Sequence, residues 1–530
     1  MPQIQVRRGT TAQWTAANPI LAAGEPGYDT TLELFKIGNG TSHWLDLPAG
    51  EGMSEADADA RYAPVSESYD RSVLPLRSSL DTGRAAAFTL FGDSSGDSDG
   101  ALHNGDGTTI PYERFPILLA KAIGAAYPDY HVMAKTWNPN TEDHGKWITL
   151  QAKSAGRRYA TLTGRSLRYI PPIPAESLFT TGNMDLRVLV RPNSWAPGSG
   201  GSRALVCRYL VDNAGTLVQD ITFRWLLKQD GHLALSMSTN GSSYNENDYD
   251  TGAPVTGVDG TALWLRATLE LTPGAEGNIT VKMWQSPADD GIEWTQVGST
   301  LSYGGARSAL YQNGNAFFEV GGEGWQPAGS SINGRLYEMQ IRDGLNGPCL
   351  TPCLPELWQR YVDDSTSYGG APTLLLINNS RSGSTMAYHS TAVRLKKETP
   401  DYGQLVSFFN TGHNEGSIAG QVEWLNPYKA WTEAVQHRLP TSTVAAVGQN
   451  PHTAAWPNEL TMGSLHIQRV AELSAAAARY GWGYLDLYRA FLTDSRGVAA
   501  LILPDGLHPN EVGYEVGGVA ASKFTGLVNA

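Results

Sequence analysis

The chain contains 530 residues and carries a formal net charge of −13, from 39 Lys and Arg against 52 Asp and Glu. This length exceeds what a single hydrophobic core supports, so three or four domains are expected. Hydrophobic residues make up 41% and charged residues 17%, which indicates a globular rather than a disordered chain. The acidic balance, without a dense stripe of Lys and Arg, argues against nucleic-acid binding.

The sequence also limits membrane, export and metal roles. It has no run of about eighteen apolar residues, so no membrane span is predicted. Residues 1–8 lack an apolar secretion signal, and we expect synthesis in the cytoplasm without export by the usual route. Three cysteines, an odd number, exclude a disulfide scaffold: Cys207, Cys349 and Cys353. The Cys349 and Cys353 pair lacks a second ligand pair nearby, so no metal site is predicted.

The first fifty residues are predicted to form a small β unit. Residues 4–10 alternate before a turn, and residues 32–40 form a strand that enters an Asn-Gly turn. The unit resembles the N-terminal module of bacteriophage tail-fibre and receptor-binding proteins, through the runs RRGTTAQW (7–14), LAAGEPGYD (21–29) and KIGNG (36–40). That resemblance implies a virion-attachment module over residues 1–50 that contacts phage tail or baseplate proteins. A generic small β domain is the alternative.

Residues 51–81 are predicted to be a helical linker. Ser54 suits a helix N-cap, the first turn is acidic, and Pro64 ends the helix. Similar segments of phage fibres lie at a threefold axis, so the resemblance implies a homotrimer. A flexible linker is the alternative.

An apolar strand that ends in Gly-Asp-Ser dominates residues 82–150. Buried parallel strands present functional side chains at the carboxyl edge of an α/β sheet, where we expect Ser94. Gly92 permits a sharp turn, and Asp93 is expected to hold that turn by hydrogen bonds to nearby backbone. A helix over 112–126 and a strand over 131–135 complete a βαβ opening.

Between residues 151 and 348 the pattern changes to short alternating strands separated by turn residues. This pattern predicts an inserted antiparallel β-sandwich. It resembles the concanavalin A-like (laminin-G-like) jelly rolls of phage tail proteins, which implies carbohydrate binding. Trp195, Trp294 and Trp325 are weak candidates for stacking on sugar rings, because most tryptophans of this segment are expected in the core.

The α/β pattern returns over residues 349–530. A helix is predicted over 462–479, and four strands are predicted over 373–377, 404–409, 443–447 and 484–487. The first three strands end in polar loops. We therefore expect one α/β domain split by the sandwich, since an exposed loop tolerates an insertion whose ends lie close together.

Near the end of the chain, Asp505 and His508 stand three residues apart. A carboxylate at this spacing can fix the tautomer of the imidazole and stabilise its charged form. The imidazole can then take a proton from a serine hydroxyl. Standing alone, the motif would favour an N-cap aspartate followed by a surface histidine.

The Asp-x-x-His motif is the last of four motifs that follow one another along the chain: Gly92-Asp93-Ser94, Gly383, Asn414 and Asp505-x-x-His508. They resemble the SGNH (GDSL-type) hydrolase superfamily, which implies a flavodoxin-like α/β domain with serine esterase activity and no cofactor or metal. By that resemblance Ser94 is the nucleophile, His508 is the general base and then acid, and Asp505 orients His508. The resemblance also implies an oxyanion hole formed by the N–H groups of Ser94 and Gly383 and the Asn414 side chain.

Two departures from the SGNH pattern occur. The third block is Gly412-His413-Asn414-Glu415 where the family has Gly-x-Asn-Asp, and it keeps the asparagine. The first block contains a second Gly-Asp-Ser that ends at Ser98. Ser94 is preferred as the nucleophile because it directly follows the apolar strand.

Taken together, these features predict a phage tail fibre or tailspike located in the virion. Its SGNH-type serine esterase would deacylate or deacetylate a host cell-surface polysaccharide during adsorption. One alternative is a receptor-binding fibre that recognises the surface glycan without catalysis. A third reading, a secreted bacterial carbohydrate esterase, is disfavoured by the fibre-like N-terminus. The sequence leaves the acyl group, the sugar and the choice among esterase, thioesterase and deacetylase open.

Overall fold

The computed structural model describes most of the chain, and all structural statements below concern the ranges 7–23, 25–32, 34–47, 70–97, 113–164, 166–169, 183–211, 218–244, 246–272, 278–289, 291–303, 310–311, 316–324, 327–355, 359–360, 367–415, 424–457 and 464–526. The chain divides into two compact units, Met1–Ser68 and Tyr69–Ala530. Among the described helices, none combines the length and the apolar character that crossing a membrane requires.

The first unit contains a three-stranded sheet and one helix: β1 (Arg7–Gly9), α1 (Thr11–Ala17), β2 (Pro26–Asp29) and β3 (Leu34–Ile37). The sheet of the predicted small β unit is present, and the unit also contains α1, a helix that was not predicted, after the first strand. Thr10 caps α1 through a capping box with Gln13, and this Thr-x-x-Gln pattern is the signal that could have revealed the helix. The core of the unit contains the stacked rings of Trp14 and Trp44, whose centres lie 3.9 Å apart.

The prediction that residues 51–81 form a linker is wrong for residues 70–81. The expected helix from Ser54 to Pro64 lies outside the described residues. From Asp70 onward the chain belongs to the second unit, and its first helix, α2 (Leu74–Asp81), buries Leu76 and Leu80 in the core of the α/β sheet. Two fully buried leucines fix this helix to the sheet, so residues 70–81 are not a linker.

The second unit holds the remaining elements. Its further helices are α3 (Phe115–Ala126), α4 (Pro327–Ser330), α5 (Met386–His389), α6 (Ala392–Glu398), α7 (Asn426–Arg438), α8 (Ser464–Tyr480), α9 (Leu487–Thr493) and α10 (Glu511–Thr525), with 3₁₀ turns at Arg71–Val73 and Val498–Ala500. Its strands up to residue 211 are β4 (Ala86–Gly92), β5 (His131–Asn138), β6 (Asp143–His144), β7 (Ile148–Gln151), β8 (Tyr159–Leu162), β9 (Leu167–Tyr169), β10 (Met184–Pro192) and β11 (Arg203–Val211). The later strands are β12 (Val218–Leu227), β13 (His232–Met237), β14 (Glu246–Pro254), β15 (Leu263–Thr272), β16 (Asn278–Pro287), β17 (Thr295–Gln296), β18 (Leu301–Tyr303), β19 (Phe317–Val320), β20 (Gly334–Arg342), β21 (Cys349–Cys353), β22 (Gln359–Arg360), β23 (Ser367–Gly369), β24 (Thr373–Asn378), β25 (Gln404–Asn410), β26 (Thr443–Gly448) and β27 (Gly483–Asp486).

The α/β sheet combines strands from both sides of the insertion. Its order is β27-β26-β25-β4-β24-β5, all parallel, with β6 and β7 added antiparallel to β5. Strand β5 lies between β4 and β24 in the chain and carries β6 and β7. When β5 is left out and β4 is counted as the first strand, the order is 2-1-3-4-5, which is flavodoxin-like. β4 is therefore the central strand at which the chain order reverses. In such sheets ligands bind beyond the carboxyl ends of the strands at this reversal.

Helices cover both faces of this sheet, and that explains the uniformly apolar β4. The cores contain residues of α2, α3 and α10 on one face and of α7 and α8 on the other. Every residue of β4 is buried as a result. At its end, a Cβ on Gly92 would lie 2.8 Å from Ser380 Oγ and 3.1 Å from Asn410 O. Gly92 is therefore required by the close approach of the two neighbouring loops.

The insertion consists of two antiparallel sheets packed face to face. One has nine strands: seven in the order β17-β16-β15-β10-β20-β8-β23, with β18 paired to β16 and β21 paired to β20. The other has seven in the order β14-β13-β12-β11-β19-β9-β22. Their shared core includes Leu186 and Val188 from the first sheet and Phe223 and Trp225 from the second. The predicted antiparallel layering is thus present.

The predicted boundary at residue 349 is wrong. Strands β21, β22 and β23 pair with β20, β9 and β8, so they complete the sheets of the sandwich. The α/β chain resumes with β24 at Thr373. β21 also holds Cys349 and Cys353, which, like Cys207, are buried and free. Burial raises the pKa of the Cys349 thiol to about 11, which makes it a poor nucleophile.

Candidate active site

Ser94, His508 and Asp505 form a continuous chain of short contacts. Ser94 lies in the turn after β4, is 9% exposed, and has its Oγ 2.7 Å from His508 Nε2. His508 Nδ1 lies 2.6 Å from Asp505 Oδ2. The structure thus brings Ser94 into contact with a pair that lies about 400 residues later in the sequence, in the arrangement of a nucleophile, a base and an orienting carboxylate.

The Asp505 carboxylate also builds the turn that carries His508. Its Oδ1 accepts hydrogen bonds from the N–H groups of Leu507, at 2.9 Å, and His508, at 3.0 Å. Burial acts to raise the pKa of Asp505, but the hydrogen bonds from the His508 ring and from these two N–H groups outweigh it and lower the pKa to about 2. Asp505 is therefore ionised at neutral pH, as an orienting carboxylate must be.

Asp93 holds the turn of Ser94, and this prediction is confirmed. Its Oδ1 accepts from Ser95 N at 3.0 Å and from Ser95 Oγ at 2.8 Å, while its Oδ2 accepts from Gln449 Nε2 at 2.8 Å. The Arg114 guanidinium donates to Ser94 O from the other side. Ser94 thus stands on a backbone segment fixed by several hydrogen bonds. Ser98, the second candidate nucleophile, lies outside the described residues.

The two predicted oxyanion donors lie on loops that meet at Gly92. Gly383 follows β24, is exposed and adopts a φ of +74°, which favours glycine. Next to it, Ser384 Oγ donates to Gly92 O at 2.8 Å. Asn414 follows β25 and donates from Nδ2 to Ser384 O at 3.3 Å. Among the backbone–backbone hydrogen bonds of the described residues, none uses the N–H of Ser94 or of Gly383.

The two residues that flank Asn414 have structural partners. His413 N donates to Gln449 Oε1 at 2.7 Å, and its Nε2 lies 2.9 Å from Asn450 O. Burial lowers the pKa of His413 to about 3, so its ring is neutral. Glu415, which replaces the aspartate of the family pattern, accepts from Met386 N at 2.6 Å and ties the loop to α5. The departure from the family pattern therefore keeps this loop anchored.

Comparisons with known proteins give matches to parts of the chain. Residues 4–42 match a known family profile. The family is described as the Major tropism determinant N-terminal domain. A phage tropism determinant at the N-terminus indicates a phage-associated protein. No curated protein gives a significant match to the chain.

Among solved structures, the chain is similar to several ester hydrolases. A peptidoglycan O-acetylesterase aligns over 86% of this chain and 95% of its own, at 12% identity and a TM-score of 0.32. A lipase/acylhydrolase from Enterococcus faecalis aligns over 29% and 76%, at 21% identity and a TM-score of 0.25. A GDSL-like lipase from Bacteroides thetaiotaomicron aligns over 28% and 75%, at 18% identity and a TM-score of 0.24.

The three tryptophans proposed for sugar stacking have different outcomes. Trp195 is 2% exposed and belongs to the core of the sandwich, so its ring is not accessible to a sugar. Trp325 lies outside the described residues. Trp294 is half-buried and lines a cavity on the outer face of the nine-stranded sheet.

A second buried serine–histidine–carboxylate group lies behind the nucleophile turn and escaped the sequence analysis. His389 Nδ1 is 2.8 Å from Glu398 Oε2, and His389 Nε2 is 2.9 Å from Ser384 Oγ and 3.2 Å from Gly92 O. The side chains of His389 and Glu398 are both completely buried. No solvent-accessible group belongs to this set, so we assign it to holding Gly92 in place. Only the polar character of the loop after β24 hinted at it.

This assignment gives a prediction for stability. Glu398→Ala is expected to lower the free energy of unfolding by about 3–5 kcal/mol, because it leaves a buried histidine without its carboxylate partner. Urea unfolding followed by tryptophan fluorescence measures the effect. Glu433→Ala, on the exposed face of α7, is the control and should leave the unfolding midpoint unchanged. An equal midpoint for both variants would contradict the structural role of Glu398.

Proposed function

We propose that this protein is a phage tail-fibre or tailspike serine esterase of the SGNH type. The observation that carries the proposal is the unbroken contact chain from Ser94 Oγ through His508 to Asp505 at the carboxyl end of the central strand. The N-terminal match to a phage tropism determinant supports the virion setting. The homotrimer, the baseplate contact and the lectin-like role of the sandwich are parts of the same proposal.

The geometry suits acyl transfer in two steps. Ser94 Oγ attacks the ester carbonyl while His508 Nε2 takes its proton, which gives a tetrahedral oxyanion. His508 returns that proton to the leaving alcohol oxygen as the carbon–oxygen bond breaks, and the acyl group stays on Ser94. Water then attacks the acyl-enzyme while His508 takes its proton, and His508 returns that proton to Ser94 Oγ as the acyl–oxygen bond breaks, which releases the carboxylic acid and free Ser94. Asp505 stabilises the imidazolium in both steps.

The substrate that fits this setting is an acylated polysaccharide of the host surface. A virion protein meets that glycan before any other host molecule, and O-acyl groups on sugars are esters that this chemistry cleaves. Removal of acetyl groups would expose the glycan to further binding by the fibre. The protein would then act at the host cell surface during adsorption.

The test combines turnover with covalent labelling. The full-length protein is assayed for hydrolysis of p-nitrophenyl acetate and for acetate release from purified host envelope glycan. In parallel, it is treated with a fluorophosphonate, and the modified peptide is identified by mass spectrometry. We expect turnover of both esters and a single adduct on Ser94. Absence of turnover and of labelling would contradict the esterase and leave a receptor-binding fibre. Turnover of soluble lipid esters alone would contradict the glycan substrate.

The oxyanion hole yields a separate prediction. Asn414→Ala is expected to lower kcat by about 10²–10³-fold with little change in KM, because the amide stabilises charge that develops only in the transition state. Steady-state hydrolysis of p-nitrophenyl acetate measures both constants. Asn426→Ala, at the exposed start of α7, is the control. A rise in KM without a fall in kcat would place Asn414 in ground-state binding instead.

A further inference from the structure

A cavity of about 210 Å³ lies between the insertion and the α/β domain, within the second unit. One wall is the outer face of the nine-stranded sheet, with Trp264 and Trp294. The other wall is the segment after β5, with His144 and Lys146. Glu338 of β20 connects the sheet to the α/β domain, because its carboxylate lies 4.0 Å from Lys135 of β5. The same carboxylate also contacts Arg157 at 3.0 Å.

The lining of this cavity is cationic although the chain as a whole is acidic. Five cations and one carboxylate belong to the described residues that line it: Lys135, Lys146, Arg187, Arg266, Arg342 and Asp143. Three of the five cations already face a carboxylate. Arg342 pairs with Asp143, Arg266 with Asp185, and Lys135 lies 4.0 Å from Glu338, which leaves Lys146 and Arg187 as the source of the excess. The local excess of positive charge favours an anionic guest.

Two of these arginines share one buried carboxylate. Arg266 makes two hydrogen bonds to Asp185, at 3.0 and 2.6 Å. Arg187 Nε lies 3.5 Å from the same carboxylate and is buried without a hydrogen-bond partner among the described residues. One carboxylate cannot neutralise two guanidinium groups, so positive charge remains at the sheet face. A second anion in the cavity would compensate it.

Aromatic rings stand beside these cations. The Arg187 guanidinium lies 5.1 Å from the Trp294 ring centre, and that of Arg266 lies 5.8 Å from it. Indole rings pack against the apolar faces of sugars, and amide groups of Gln340 and Asn346 complete the lining. The volume is below the range of about 300–1,000 Å³ typical of pockets for drug-sized ligands, which suits one sugar unit.

The cavity lies on the same edge of the sheet as Ser94. Ser94 follows β4, and the cavity residues Asn138 to Trp147 follow β5, two strands away in the order β4-β24-β5. Neighbouring strands are about 4.8 Å apart, so the lateral offset is about 10 Å. His144 Nε2 also contacts Asn379 Oδ1 at 2.6 Å, on the loop that leads to Gly383. A short oligosaccharide can span this distance.

We propose that this cavity is a glycan subsite that binds one anionic sugar, bearing a carboxylate or phosphate, of the polysaccharide whose ester Ser94 cleaves. The subsite rests on the proposed esterase function and names its substrate class. Trp294 would stack on the sugar ring, and Arg187 and Lys146 would face the anion. The insertion then contributes to substrate choice by placing the acylated neighbour of that sugar at the nucleophile.

The test measures binding separately from turnover. Isothermal titration of the full-length protein uses ester-free trisaccharides containing glucuronate, galacturonate, N-acetylneuraminate or a sugar phosphate, with maltotriose as the neutral probe. We expect at least one anionic probe to bind about tenfold more tightly than maltotriose, and binding to weaken at high salt. The carboxylate and phosphate arms distinguish the two sources of the anion. Equal affinity for all probes, or no binding of any, would overturn the subsite.

Variants then locate the binding. Trp294→Ala and Lys146→Glu are each expected to raise Kd for the anionic probe about tenfold, whereas Lys523→Glu on α10 is the charge-matched control. Lys146 is exposed, so its substitution tests the cavity even if Trp294→Ala is unstable. Turnover of p-nitrophenyl acetate should stay unchanged in the Lys523→Glu control. If the Lys146→Glu variant bound the anionic probe with wild-type affinity, the subsite would be overturned and the esterase would be unaffected. If the wild-type protein bound the probe but hydrolysed no ester, only the proposed function would be overturned.

Discussion

Replacing Ser94 by alanine is expected to lower kcat for ester hydrolysis about 10⁶-fold, to the residual rate that binding and the oxyanion hole supply alone. The hydroxyl lies 2.7 Å from His508 Nε2, so its removal eliminates both the attacking atom and the proton that His508 accepts. The variant should fold normally, because Asp93, Gln449 and Arg114 hold the turn without using the Ser94 hydroxyl. Stopped-time assays with p-nitrophenyl acetate and acetate release from host glycan measure the loss.

Ser95→Ala is the matched control for this substitution. Its hydroxyl contacts Asp93 and Asn410 rather than His508, so the nucleophile stays in place. We expect kcat within about tenfold of the wild type and a moderate loss of stability, since one net hydrogen bond contributes about 1 kcal/mol. Equal activity of Ser94→Ala and the wild type would exclude Ser94 and direct attention to Ser98.

The contact of Ser94 with the Asp505–His508 pair was expected from the order of four motifs that resemble the SGNH pattern, and each motif is readable in its own stretch of sequence. β4 is an unbroken apolar run, so its carboxyl end locates Ser94, and Asp505 and His508 are close enough in sequence to share one turn. A fully apolar parallel strand such as β4 is expected to lie inside a sheet with a neighbour on each side. This predicts that β4 pairs with strands that follow the inserted sandwich, as it does with β24 and β25. Within this α/β domain, Ser94 after β4 and His508 near the C-terminus then come into contact.

Features that depend on long-range pairing were not predictable. β22 and β23 have no pattern that assigns them to the sandwich, because their partners β9 and β8 lie about 200 residues earlier in the chain. The contact between His389 and Glu398 depends on the placement of two short helices. Lys135 and Arg342 line the same cationic cavity although about 200 residues separate them in the chain. The spacing of hydrophobic residues along the sequence carries no information about such a meeting. Trp195 and Trp294 show the same limit. Trp195 is buried in the core and Trp294 is partly exposed, and the sequence around them did not predict this difference.

Asp505→Asn is expected to lower kcat about 10⁴-fold, although it changes a single atom type. The carboxylate accepts from His508 Nδ1 at 2.6 Å, which leaves Nε2 free to accept the Ser94 proton. An amide nitrogen at that position would donate to Nδ1 instead, and the imidazole would then carry its proton on Nε2, where it cannot act as a base. Steady-state kinetics with p-nitrophenyl acetate, together with the rate of fluorophosphonate labelling of Ser94, measure the effect.

This substitution separates an orienting role from a purely structural one. Asparagine keeps an Oδ1 that can accept from the N–H groups of Leu507 and His508, so the turn is preserved. Asp505→Ala loses these two contacts as well and should be less stable, with a similar fall in kcat. If Asp505 served only as a cap for its turn, the asparagine variant would retain wild-type turnover and only the alanine variant would fail. A large loss in both, with native stability in the asparagine variant alone, would establish that the charge of Asp505 acts on His508.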